Sequence, residues 1–267
     1  MNATDFIAAL CIPDSARVDQ RIPKKLLLEN GAPTTTDKSL LKDAIEEIQW
    51  LGALKPNTIG VPEYRDATRE YLEIALLSVT LRGNIKPARK SRLSELVHRA
   101  VPYPVLLLMI DGQVLTISVA HKRWAQNEVD KVVLDGSVVN VSLAEDEAKD
   151  SYASDPMLTA EVNGTFVQSM GVTHLPQTSL YALYQGWIDR LQALQAARLT
   201  GSSYQAPLTR EQAQVRQQAL IDCEQLEAEI NRLRLKAAKE KQLARQVELN
   251  LALKRVRAEL AVARQNL

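Results

Sequence analysis

Val105-Leu106-Leu107-Leu108-Met109-Ile110-Asp111-Gly112-Gln113-Val114-Leu115-Thr116-Ile117-Ser118-Val119-Ala120 reads as two β-rich runs joined by Asp-Gly. That dipeptide accepts the positive φ of a type I′ turn, so the stretch predicts a hairpin and antiparallel pairing. Further along, Val132-Val133-Leu134, Asp135-Gly136 and Ser137 to Leu143 repeat the device. Upstream, Thr58 to Val61 has the composition of a short strand, and Tyr71 to Leu81 that of a longer one stopped by Gly83. No glycine-rich strand-to-helix turn is present, so nothing points to a parallel, doubly wound sheet.

Helical periodicity surrounds these strands. Ala3 to Leu10 is a short apolar segment broken by Pro13. Leu41, Ala44, Ile45, Ile48 and Leu51 recur at steps of mostly three or four residues, which predicts a helix ended by Gly52 and Pro56. Ser91 to Ala100 places Leu93, Leu96, Val97 and Ala100 on one face, with His98 off that stripe and read as a surface residue. Acidic residues from Glu145 to Asp155 suit a loop or lid. Ser179 then caps a helix striped with Leu180, Leu183, Tyr184, Trp187, Ile188, Leu191 and Leu194.

After Pro207 the chain contains neither Gly nor Pro and is rich in Ala, Leu, Glu, Gln, Lys and Arg. These are strong helix formers, and a continuous helix over 208–267 would reach roughly 90 Å, far beyond one domain. It needs a partner helix. A seven-residue frame puts Ala219, Leu226, Leu233, Glu240, Val247, Lys254 and Ala261 on one seam position. Cys223, Ile230, Ala237, Ala244, Leu251 and Ala258 fill the other. Leu226, Ile230, Leu233, Val247 and Leu251 are the residues expected to drive oligomerisation. Acids cluster early and bases late, which suits either an antiparallel pair or phosphate contact.

The expected fold is therefore α+β: a mostly antiparallel sheet with flanking helices, followed by a long, coiled-coil-like C-terminal α-helix. Four parts follow: a globular domain over 1–175, an amphipathic helix over 176–200, a linker over 201–207 and the long helix over 208–267. Of the 267 residues, 46% are hydrophobic and 24% charged, which is globular composition. Only 4% are aromatic, so the core must be aliphatic. A net charge of +1 means that any electrostatic partner is engaged locally. Cys11 and Cys223 have no metal-ligand neighbours and read as reduced thiols. Met1 to Leu10 lacks the features of a secretory signal, and no apolar run is long enough to span a bilayer. The expectation is a cytoplasmic protein without a membrane segment.

The run Lys239-Glu240-Lys241-Gln242-Leu243-Ala244-Arg245-Gln246-Val247-Glu248-Leu249-Asn250 resembles the C-terminal helix of an uncharacterised bacterial family, domain of unknown function 4391. Arg21-Ile22-Pro23-Lys24, Ile48-Gln49-Trp50, Leu54-Lys55-Pro56-Asn57, Val101-Pro102-Tyr103-Pro104 and Ser118-Val119-Ala120-His121-Lys122 are similar too, in the family's order. The resemblance implies a context: such proteins are typically encoded beside helicases and DNA methyltransferases of restriction-like anti-phage systems. It carries no catalytic residues.

A restriction-type nuclease needs a carboxylate and a lysine separated by one residue on the same strand, to hold Mg²⁺. Here Ala120 stands before His121-Lys122, and Asp111 is accounted for as a turn residue. His98, His121 and His174 are scattered, so no metal or cofactor site is expected. His121-Lys122-Arg123-Trp124 is the polar cluster most suited to contacting phosphate, with Trp124 stacking. Arg232, Lys236, Lys239 and Arg245 offer a second basic set. The expected function is a non-catalytic subunit of a DNA-targeting defence complex, self-associating and docking on helicase or methyltransferase subunits. Its alternatives are a nucleic-acid-binding module and a degenerate nuclease.

Overall fold

The computed structural model describes residues 2–83, 85–126, 131–143 and 156–267. The acidic segment 145–155 expected to form a loop lies outside these residues. Six strands form one sheet in the order β1-β2-β5-β6-β7-β8: β1 (Arg17–Arg21), β2 (Ile45–Leu54), β5 (Ile74–Leu81), β6 (Val105–Asp111), β7 (Val114–Trp124) and β8 (Val132–Ser142). Two short strands, β3 (Tyr64–Arg65) and β4 (Glu70–Tyr71), pair separately. The pairing is antiparallel except between β5 and β6, which run parallel because α5 (Pro87–Ala100) carries the chain back between them. The mostly antiparallel α+β expectation holds, with this one parallel pair added to it.

Helices cover both faces. On one face α2 (Lys24–Asn30), α3 (Thr35–Ala44) and α5 pack Leu27, Leu41, Leu96 and Val97 against Ala75, Leu77, Leu107 and Met109. On the other, α1 (Ala3–Ala9), α6 (Pro156–Ser169) and α7 (Leu180–Thr200) pack Phe6, Phe166 and Trp187 against Ile74, Leu76, Leu106 and Leu108. Central strands buried on both faces are apolar throughout, which is why Val105 to Ile110 shows no alternation. Every residue of the α7 stripe read from the sequence is buried. α7 thus shares one core with the sheet.

Two segments depart from the sequence reading through β-bulges. The helix expected through Leu41 to Leu51 ends at Ala44, and β2 begins at Ile45. Register shifts between Ile45 and Glu47 and between Trp50 and Gly52 insert extra residues. The first shift puts Ile45 and Ile48 in the same core three residues apart, and Leu51 enters the core on the other face. Buried residues therefore recur every third position, a spacing that imitates a helix. The second expected hairpin is a single strand, β8. Gly136, at φ +83°, sits where the register jumps between Val119↔Val139 and His121↔Asp135, so Asp135-Gly136 makes a bulge rather than a turn. Thr58 to Val61 is not a strand; Pro56–Ile59 forms the short helix α4, closed by left-handed Gly60.

Two lysines hold helix ends. Lys24 donates to the carbonyl of Ile45, the C-cap of α3, and Lys122 to that of Val101, the C-cap of α5. Each amine meets the negative end of a helix dipole. Gly31 closes α2 against α5: a Cβ there would lie 2.6 Å from the Leu96 carbonyl oxygen and 2.7 Å from Ala100 Cβ. Gly31→Ala is expected to cost about 1–3 kcal/mol through this overpacking. Urea denaturation checks it, and an unchanged midpoint would show that α2 shifts freely.

The C-terminal segment is not one helix. α8 (Arg210–Lys239) stops at Glu240, and α9 (Leu243–Arg264) returns antiparallel beside it. Glu240 and Gln242 are extended at the bend. The Glu240 Oε1 accepts the backbone N–H groups of Lys241 and Gln242, each at 2.8 Å. These bonds hold its carboxyl below the usual range and supply acceptors to donors left over at the start of α9. Arg264 meets Glu227 at 2.9 Å, tying the end of α9 back to α8.

Candidate functional site

The His121-to-Trp124 cluster lies at the end of β7, beyond the point where β6 and β7 part. Their ladder ends at Leu107↔Ser118, while β7 continues along β8. The Tyr184 hydroxyl fills the parting, accepting from the Ala120 N–H at 2.9 Å and donating to the Val105 carbonyl at 2.7 Å. A cleft of about 170 Å³ opens there between Pro102 and Tyr103 on one side and Lys122, Arg123 and Trp124 on the other.

The four residues face different surroundings. His121 Nδ1 accepts from the Tyr71 hydroxyl, and its Nε2 donates to Gln185 Oε1 at 2.6 Å. Gln185 in turn donates to Asp189 at 2.7 Å, which fixes the amide orientation and hence the histidine tautomer. Burial lowers the His121 pKa, so the ring stays neutral within a nest of Tyr71, Tyr181 and Tyr184. Lys122 is 3% exposed, and burial pushes its amine down to about 7. Its amine is directed to Val101 rather than outward, which corrects the expectation of a strand-end cation facing phosphate or water. Arg123 faces Asp135 at 3.5 Å, beside Arg69, which meets the same carboxylate at 3.1 Å. Trp124 is half-buried on the cleft wall.

His98 is not at the surface. It is fully buried with Nε2 2.9 Å from Ser118 Oγ, and among the described residues its Nδ1 has no hydrogen-bond partner. Burial first, and nearby Lys122 second, lower its pKa to about 3. The missed signal was the β7 alternation, which aims Ser118 at α5 and gives a buried imidazole one polar partner. Asp111 is bound by Lys90 at 2.8 Å and by the Ile85 N–H at 3.3 Å, so its carboxylate has a structural role beyond the turn. Among the described residues no group of three His, Cys, Asp or Glu is placed to hold a metal.

The residues expected to drive oligomerisation divide between two surfaces. Leu226, Ile230 and Leu233 line the seam of α8 against Leu249, Leu253, Val256 and Leu260 of α9. Along α8 the frame residues Ala219, Cys223, Ile230, Leu233 and Ala237 are buried and Leu226 is half-buried. Along α9 the frame slips by two residues: Leu249, Leu253, Val256, Leu260 and Ala263 replace Val247, Leu251, Lys254, Ala258 and Ala261. The bend, absent from a continuous frame, causes the slip. Val247 and Leu251 are left outside at 51% and 54% exposure. Arg232, Lys236, Lys239 and Arg245 are all exposed around the bend.

The class of protein so defined has a helix-covered, mostly antiparallel sheet that extends an antiparallel helical hairpin. The chain belongs to the family described as Domain of unknown function (DUF4391), whose model matches residues 10–260. No match was found among curated proteins or among solved structures. Among the described residues no helix is long and apolar enough to cross a membrane.

Proposed function

We propose that the protein is a non-catalytic subunit of a DNA-targeting, restriction-like anti-phage complex in the cytoplasm, serving assembly and docking through its C-terminal hairpin. The observation that carries this reading is an apolar stripe on the outer side of α9. Val247, Leu251, Ala258 and Val262 follow one another at intervals of four, seven and four residues, all exposed on the side away from the α8 seam. A helix already packed along one face has no internal use for a second apolar face. Such a stripe suits a partner helix or groove reading a helical face. Helicase and DNA methyltransferase subunits are the partners that the family resemblance brings with it, and a second copy of the chain is the other candidate.

The test combines light scattering with co-purification of the full chain and its genomic neighbours' products. Val247→Glu/Leu251→Glu is expected to abolish co-purification or dimer formation while leaving the melting temperature within about 2 °C, because both sites are exposed. A wild-type protein that is strictly monomeric and retains no neighbour product would sink the reading.

A further inference from the structure

The hairpin is electrically lopsided. Residues 230–258 hold nine Lys and Arg, from Arg232 to Arg257, against only Glu240 and Glu248. This is a surplus of seven. The whole chain is +1, so the remaining residues together carry −6. All nine cationic side chains are exposed. Only Arg232 forms an ion pair among the described residues, with Glu229. Elsewhere the protein pairs many of its cations: Arg69, Lys90, Arg92 and Arg123 each face a carboxylate.

The bend concentrates this charge. By turning back, α9 lays its Lys254-to-Arg257 segment alongside the Arg232-to-Lys239 segment of α8, in the sense fixed by Arg264 and Glu227. Packed helices lie about 8–10 Å apart, within a Debye length of about 10 Å at 0.1 M salt, so these charges repel. From Ile230 to the bend α8 rises only about 15 Å. Near the base of the hairpin the opposite balance holds: Asp222, Glu224, Glu227 and Glu229 lie close together on α8. An anionic partner that relieves the repulsion must therefore lie along the distal part.

The residue types narrow the ligand. Beyond Tyr204 the chain contains no Phe, Trp or Tyr. Single-strand binders stack bases on aromatic rings, and this surface has none to offer. Duplex nucleic acid presents one negative charge per about 1.7 Å of axis, a density that the distal arm matches without reaching the bases. We propose that the distal half of the C-terminal hairpin, around Lys236, Lys239, Arg245 and Lys254, binds the phosphate backbone of duplex nucleic acid without sequence preference. This goes beyond the docking reading and uses different side chains from the Val247–Leu251 stripe.

Fluorescence anisotropy of the full chain with labelled mixed-sequence duplex DNA tests it. With about four phosphate contacts, affinity is expected to fall roughly 100-fold between 50 and 200 mM salt. A second duplex of unrelated sequence should bind equally well. Lys236→Glu/Lys239→Glu/Arg245→Glu should weaken binding at least about tenfold and flatten the salt dependence. Circular dichroism melting should be unchanged for it and for the milder Lys→Gln/Arg→Gln version, which is expected to weaken binding less. Lys38→Glu/Lys42→Glu/Arg89→Glu, on the exposed face of α3 and α5, should leave affinity within about twofold.

Absence of binding at 50 mM salt would overturn the proposal, as would equal loss in both charge-reversed variants. Polyglutamate competing as strongly as DNA would also overturn it, by assigning the arm to an acidic protein. None of these outcomes depends on co-purification, so the two readings fail separately.

Discussion

Trp187→Ala is expected to lower the unfolding free energy by about 3–5 kcal/mol. Trp187 sits midway along α7 with no exposed surface, and Tyr184 packs edge-on to it at 6.4 Å. Its Nε1 donates to the carbonyl of Met170 at 2.9 Å, just past the end of α6. Truncation removes the largest fully buried side chain, opens a cavity between α6, α7 and the sheet, and orphans that carbonyl. An unsatisfied buried acceptor alone costs about 1–3 kcal/mol. Equilibrium urea unfolding measures the change as a drop in midpoint at constant slope. A loss under about 1 kcal/mol would mean that α7 is not seated on the sheet as described.

Acid is expected to act nearly as strongly, through His98. Burial holds the imidazole's pKa down to about 3, against 6.5 for a free histidine. Between those values the unfolded chain binds the proton and the folded chain does not. Stability therefore rises with pH across this window and falls as pH drops, by about 1.4 kcal/mol per unit well inside it. Going from pH 6.5 to 4 should remove about 3 kcal/mol on this account. His121, also lowered by burial, adds in the same direction. His98→Gln, which keeps an amide near Ser118 Oγ, is expected to remove one proton's share of the slope. If denaturation midpoints of that variant keep the wild-type pH dependence, the acid sensitivity lies elsewhere.

The sequence disclosed most where one physical rule acted alone. The α7 stripe is a plain 3.6-residue pattern and stands as read. The β6–β7 hairpin stands too, but its two-residue turn is Gly112-Gln113, with positive φ at Gly112 alone and Asp111 paired to Val114. It misled where two rules overlapped. Ile45, Ile48 and Leu51 obey a three-residue period because a bulge brings the first two to one face and the opposite face, which takes Leu51, is buried as well; no local signal separates that from a helix. Asp135-Gly136 has the composition of a turn, yet positive φ serves a bulge equally well.

The candidate surfaces were less legible still. His98 and Lys122 are polar residues whose burial depends on contacts distant in sequence, Ser118 and Val101 respectively. At the hairpin, the clue was present. Glu240 falls on a seam position of the continuous frame, where a carboxylate would be costly, and it proves to be the residue that bends the chain and caps α9. A frame continued unbroken through Glu240 implies a single long helix and puts Val247 and Leu251 on the seam that Leu249 and Leu253 occupy.

The three-residue bend at 240–242 has a further consequence, for how copies of the chain encounter one another. A short tether presents α9 to α8 at an effective concentration on the order of millimolar or more. Another molecule at micromolar abundance competes at a disadvantage of about a thousandfold. Leu226, Ile230 and Leu233 are thus committed to their own chain, and swapping α9 between molecules is disfavoured by mass action alone. Whatever the hairpin offers to others is restricted to its outer side and its tip.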